Sequence, residues 1–171
     1  MSKALFLDRD GVLNVLRPND YVKCPAELEL LPGVAEAVAL CRPHFDFIFV
    51  ATNQQGIGKG LMTEDDLEAV HAKLLAAVPG IDAVYFCPRL ERENSFMRKP
   101  NIGMALQARR GYPGLKLKES VMVGDSMTDM LFGRRAGMTT VLVGDNSRCD
   151  RQQPWLVDLR FGTLLDFAQS L

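Results

Sequence analysis

A chain of 171 residues, 47% hydrophobic and 24% charged with a formal net charge of −1, can bury a substantial single core and has no overall field that would draw it to nucleic acid or an anionic membrane. No apolar stretch approaches the ~18–20 residues of a membrane-spanning helix, and no basic region followed by a hydrophobic segment opens the chain. The expectation is a cytoplasmic protein with one domain over residues 1–171, whose four cysteines (Cys24, Cys41, Cys87, Cys149) lack C-x-x-C spacing and read as free thiols.

The first predicted element is a strand over 4–7, Ala4-Leu5-Phe6-Leu7, which runs into Asp8-Arg9-Asp10-Gly11. Two carboxylates so close repel strongly, so one must be protonated or a cation must lie between them. A helix follows near 33–42 and a strand over 46–51, which leads into Thr52-Asn53-Gln54. The clearest helix spans 64–78: Thr63 and Asp66 form a capping-box pattern, Leu67, Val70, Leu74, Leu75 and Val78 share one face, and Pro79-Gly80 stops it. A strand over 82–87, a helix over 101–110 opened by Arg98-Lys99-Pro100, a strand over 120–123 leading to Gly124-Asp125, a helix over 127–136 and a strand over 140–143 complete the alternation. A last short strand near 158–161 and a terminal helix follow, with Trp155 expected to pack against the sheet edge. His44 and His71, without acidic or cysteine partners at ligand spacing, read as structural.

Alternating strands and helices, with strands too apolar to be half-exposed, predict an α/β fold built on a Rossmann-like, doubly wound parallel sheet. Ligands of such sheets bind at the carboxyl ends of the strands. Asp8, Thr52 and Asp125 each follow a predicted strand, and Lys99 sits at a loop-to-helix junction, so four polar elements share one edge. The carboxylates suit a hard cation such as Mg²⁺; Thr52 offers a hydroxyl and Lys99 a fixed positive charge. That combination fits a phosphoryl group. Asp8 could then attack phosphorus to form an aspartyl phosphate, while Asp10 protonates the leaving oxygen and later deprotonates the hydrolytic water.

The four segments, in this order, resemble the motifs of the haloacid dehalogenase superfamily of Asp-nucleophile phosphatases, over residues 5–137. Leu7-Asp8-Arg9-Asp10-Gly11-Val12-Leu13-Asn14, Tyr21-Val22 and Thr52-Asn53-Gln54-Gln55-Gly56-Ile57 are similar to the branch that holds the heptose-bisphosphate and histidinol-phosphate phosphatases. The resemblance implies that Asp8 is nucleophile and Mg²⁺ ligand, and that Asp10 is the acid/base and binds the metal through its carbonyl. It further implies that Thr52 and Lys99 hold the phosphoryl group, that Asp125 is the third protein ligand, and that Asp129 orients the ligand shell. Asn53 and Arg98 would touch the substrate, Arg98 as a clamp on a distal phosphate or carboxylate.

Many members of this branch carry a zinc loop, C-x-H followed by C-x-C-R-K-P. Here Cys87 remains, but Arg89, Ser95 and Met97 occupy the other ligand positions, so no zinc is expected. Loop 88–97 must be ordered by other contacts, such as ion pairs among Arg89, Glu91, Arg92 and Glu93, or stay mobile. Short intervals between the motifs leave no room for a cap domain, and capless relatives are often monomers, which sets that expectation here. A small phosphorylated metabolite is the expected substrate, a heptose 1,7-bisphosphate first, with histidinol phosphate and a 3′-phosphorylated polynucleotide as alternatives. The absence of a basic surplus argues against the last. A receiver-like module phosphorylated on Asp8 is the reading from a different class, and Asp10, a group able to activate water, argues against it.

Overall fold

In a computed structural model, residues 2–145 and 153–171 are described. Six strands, β1 (Ala4–Leu7), β2 (Phe47–Asn53), β3 (Ala83–Cys87), β4 (Val121–Gly124), β5 (Thr139–Val143) and β6 (Leu159–Phe161), form one sheet. Its order is β3-β2-β1-β4-β5-β6, and every pairing is parallel. The direction of winding reverses between β1 and β4, which puts the switch point beside Asp8 and Asp125.

Alternation along the strands builds two cores. Leu5, Leu7, Ile48, Val50 and Val123 point to one face, where α1 (Val34–Cys41), α3 (Glu64–Ala77) and α6 (Leu164–Gln169) cover them. Ala4, Phe6, Phe49, Ala51 and Met122 point to the other, under α4 (Gly103–Gly111) and Phe132 of α5 (Met127–Ala136). The expected doubly wound sheet is therefore present, and its central strands β1 and β4 are apolar on both sides because each side is covered.

The expected capping box closes: Asp66 N donates to Thr63 Oγ1 at 3.1 Å and Thr63 N donates to Asp66 Oδ2 at 2.8 Å. Three corrections follow from packing. Leu75 is 38% exposed, and His71 takes its place on the buried face of α3. Trp155 is 67% exposed; Leu156 and Val157 beside it fill the sheet edge instead. β2 runs through Thr52 and Asn53, because both pair in register with Phe86 and Cys87 of β3, and a short helix α2 (Gln55–Gly58) follows. Cys24, Cys41 and Cys87 are free thiols, and burial pushes Cys41 up to about 11. The expectation for Cys149 lies outside the described residues. Among the described residues, no helix is long and apolar enough to cross a membrane.

Candidate active site

The chain leaves β1 at Leu7, and Asp8 N still donates to Val123 O of β4 at 3.0 Å, so Asp8 is fixed by the sheet itself. A turn then forms on the Arg9 carbonyl, which accepts from Leu13 N at 2.8 Å and Asn14 N at 3.1 Å. Gly11 adopts a φ of +87° there, and a Cβ in its place would lie 2.1 Å from Asp125 Oδ2. A Cβ on Gly124 would likewise meet Asp129 Cβ at 2.1 Å. Both glycines let carboxylates approach more closely than side chains would allow.

Asp8, Asp10, Thr52, Asn53, Lys99, Asp125 and Asp129 all line one cleft of about 320 Å³, where Leu16, Arg17, Asp20 and Tyr21 form a wall. Seven of the eight side chains expected at the site are thus together. Oxygens of Asp8, Asp125 and Asp129 lie within 4.8 Å of one another. Among the described residues this is the cluster with donors suited to a metal ion, and its all-oxygen chemistry fits a hard divalent cation. The crowding expected between Asp8 and Asp10 falls instead on these three.

Lys99 answers part of that charge. Its Nζ donates to Asp8 Oδ1 at 2.7 Å and to Asp129 Oδ1 at 2.6 Å, with the lysine side chain 2% exposed. Burial pulls the ammonium down, but Asp129 and Asp8 outweigh burial and hold Lys99 above its ordinary range. One cation cannot satisfy three carboxylates. Burial and then Asp129 raise the Asp8 carboxyl well above its usual range, and the same two causes push Asp125 up to about 7.

The Lys99 backbone is held as firmly as its side chain. Asn53 Nδ2 donates to Lys99 O at 3.0 Å, and Lys99 N donates to Asn53 Oδ1 at 2.9 Å. Asn53 therefore lines the cleft while spending its amide on the lysine loop. Asp129, expected only to orient ligands, also caps α5 by accepting from Ser126 Oγ at 2.6 Å and Ser126 N at 3.2 Å.

Asp10 is held apart from this cluster. Its Oδ1 accepts from Arg9 Nη2 and Asn14 Nδ2, both at 3.0 Å, and its Oδ2 accepts from Gln54 Nε2 at 2.9 Å. Burial raises this carboxyl, but Arg9 and the hydrogen bonds from Asn14, Arg9 and Gln54 bring it below the ordinary range. Arg9, Asn14 and Gln54 are the residues whose part in the site sequence reasoning missed, and His71, expected to be structural, is buried behind Arg9. The available signal was a charged residue between two acids at the end of a buried strand, where an arginine has little access to water.

Arg98 lies outside the main cleft. It lines an adjoining one of about 370 Å³ with Glu91, Asn94 and Pro100, and Lys99 and Thr128 border both. Loop 88–97 is ordered chiefly by backbone-directed bonds: Leu90 N donates to Glu93 Oε2 at 2.6 Å, Asn101 Nδ2 to Ser95 O at 3.0 Å, and Gly103 N to Phe96 O at 3.0 Å. Of its four charged side chains expected to tie it, Arg89 and Glu93 pair at 3.6 Å. The facing loop is tied by Arg17, which contacts Asp20 at 3.4 Å and Glu27 at 3.2 Å, and by Lys23, which contacts Asp20 at 2.7 Å.

Asp125 sets a pH dependence with a definite sign. A carboxyl raised from 3.8 to about 7 on folding contributes stability that is present below the lower value and lost as pH rises through the upper one. A cation bound among the carboxylates reverses this, because only the ionised form is a good ligand. The rise in melting temperature on adding Mg²⁺ should therefore grow between about pH 5 and pH 7 and level off above that. Differential scanning fluorimetry across that range checks this, and a shift independent of pH would contradict it.

Comparison with known proteins gives concordant matches. Residues 96–157 match the family described as HAD-hydrolase-like. The D-glycero-alpha-D-manno-heptose-1,7-bisphosphate 7-phosphatase of Mycobacterium bovis is 33% identical, over 98% of this chain and 90% of that protein. The D-glycero-D-manno-heptose-1,7-bisphosphate 7-phosphatase of Thermosynechococcus vestitus is 41% identical, over 82% and 78%. The crystal structure of D,D-heptose 1,7-bisphosphate phosphatase from B. bronchiseptica, complexed with magnesium and phosphate, superposes with a TM-score of 0.87 at 32% identity, covering 98% of this chain and 97% of that one.

Proposed function

This chain belongs to the haloacid dehalogenase-like hydrolases, in the group of the heptose-1,7-bisphosphate 7-phosphatases, and from that premise we propose that it removes the 7-phosphate of a heptose 1,7-bisphosphate through an aspartyl phosphate. The observation that carries the chemistry is Asp8: one oxygen is held by Lys99, and the residue faces the cleft shared with Thr52 and Asp10.

Mg²⁺, held by the Asp8 and Asp125 carboxylates and the Asp10 carbonyl, would offset charge on the phosphoryl oxygens. In the first half-reaction an oxygen of Asp8 forms a bond to phosphorus while the ester P–O bond breaks, and Asp10 gives its proton to the departing sugar oxygen. In the second, Asp10 takes a proton from water, whose oxygen attacks phosphorus and frees Asp8 and inorganic phosphate. The lowered Asp10 carboxyl suits the second step, and the negative charge of a bound phosphoryl group raises its proton affinity for the first. Thr52 and Lys99 hold the phosphoryl oxygens, Asp129 holds Lys99, and Asn53 positions the lysine loop against the substrate. The enzyme acts as a cytoplasmic monomer on this reading.

Phosphate release with Mg²⁺ tests it, using both anomers of heptose 1,7-bisphosphate, histidinol phosphate, a 3′-phosphorylated oligonucleotide and common sugar monophosphates. A kcat/KM for one heptose bisphosphate at least ~10² above the other classes is the expected result. Preference for histidinol phosphate would reassign the substrate and leave the chemistry standing. Arg98, beside the adjoining cleft, is read as the distal clamp. Arg98→Ala should raise KM for the bisphosphate ~10-fold or more and leave that for p-nitrophenyl phosphate within ~2-fold. Equal effects on both would make Arg98 a support of its loop.

A further inference from the structure

Behind the cleft lies a buried polar layer to which the proposed chemistry gives no task, and Gln54, 1% exposed, stands at its centre. Its amide nitrogen donates to Asp10 Oδ2 at 2.9 Å and to Thr52 Oγ1 at 2.8 Å, while its amide oxygen accepts from Arg9 Nη2 at 3.3 Å. A guanidinium can only donate, so Arg9 decides which end of the amide faces it and leaves the NH₂ end for the other two. Arg9 is itself 0% exposed, and its Nη1 lies 3.2 Å from His71 Nε2. Burial pushes His71 down to about 4, and the charge of Arg9 acts in the same direction, so at neutral pH the imidazole is uncharged and can accept.

Two consequences follow for groups that line the cleft. Thr52 Oγ1 receives a hydrogen bond from Gln54, which leaves the threonine proton to be given to another acceptor. Asp10 has two donors on Oδ1 and one on Oδ2, which leaves Oδ2 the oxygen with room to carry a proton. We infer that Gln54, oriented by Arg9, is a positioning residue that presets both groups: it turns the Thr52 hydroxyl into a donor for the phosphoryl group and aims Asp10 Oδ2 at the leaving oxygen. This rests on the reading of Asp10 as the acid/base.

The test uses Gln54→Met, which keeps the length and removes the amide, beside Asp10→Asn, with two substrates. p-Nitrophenyl phosphate has a leaving group that departs without a proton, whereas a sugar phosphate needs one. kcat/KM reports only the steps through departure of the leaving group. Gln54→Met should lower it for both substrates through Thr52, and lower it a further ~10- to 100-fold for the sugar phosphate through Asp10. With p-nitrophenyl phosphate a burst of nitrophenol should precede slow turnover, because a misaimed base leaves the aspartyl phosphate to accumulate. Asp10→Asn should show a larger gap of the same sign. Equal losses on both substrates and no burst in Gln54→Met, with the gap present in Asp10→Asn, would overturn the role of Gln54 alone. No gap in Asp10→Asn would overturn the reading on which it rests. Should Gln54→Met fail to fold, Gln54→Asn keeps an amide withdrawn by one methylene, and the same ratio of substrates decides.

Discussion

Replacing Asp8 by Asn should abolish turnover, by at least ~10⁴-fold in kcat, while the metal-free protein melts at the same temperature or higher. A carboxamide oxygen is too weak a nucleophile to displace a sugar alkoxide from phosphorus, so the covalent route closes. The shape is nearly unchanged, and the amide oxygen can still accept from Lys99 Nζ, which now lies 2.7 Å from Asp8 Oδ1. The charge balance improves, because Asp8 and Asp129 share the Lys99 ammonium with Asp125 close by, and burial together with Asp129 already raises the Asp8 carboxyl. Activity assays and thermal melts on the same preparation check both halves. Residual activity above ~1% would rule Asp8 out as the nucleophile. A sharp fall in melting temperature would show that its charge is needed for the fold.

Lys99→Met should do the opposite to stability and the same to activity. Lys99 is the buried partner of two carboxylates, and removing one member of such a pair costs roughly 3–5 kcal/mol because the other charge is left without compensation. The loss should be greatest at alkaline pH and shrink as pH falls, since the Asp8 carboxyl, raised by burial, can then protonate. Mg²⁺ should restore part of it. Turnover should fall by at least ~10³-fold, because the phosphoryl group loses a fixed positive charge. Denaturant unfolding at two pH values, with and without Mg²⁺, reads all of this. A variant as stable as the parent at pH 8 would mean that the three carboxylates are balanced by something other than Lys99.

Much of this site was legible along the chain. Asp8, Thr52 and Asp125 stand at the ends of apolar strands, and a parallel sheet brings strand ends to one edge whatever their separation in sequence. The capping pattern of Thr63 and Asp66 was readable for the same reason: its atoms lie within one turn. Leu75 turns outward although the apolar stripe of α3 predicts it buried, because His71, expected to be structural, takes the inner position, and its deciding contact, with Arg9, comes from 62 residues away.

What the sequence determined by itself was the class of fold, the order of its elements and the kinds of group at the catalytic edge, because strand period, helix caps and turn glycines act over a few residues. How those groups share charge depends on contacts that form only when the chain folds. Lys99 meets Asp8 across 91 residues and Gln54 meets Asp10 across 44, so neither pairing leaves a trace in local pattern. From the sequence, Asp8 and Asp10 are neighbours that repel. In the folded protein Arg9 and Gln54 draw Asp10 to one side, and Lys99 holds Asp8 on the other. Burial gives these long-range pairings their force, since a charge removed from water must find its partner wherever the chain brings one.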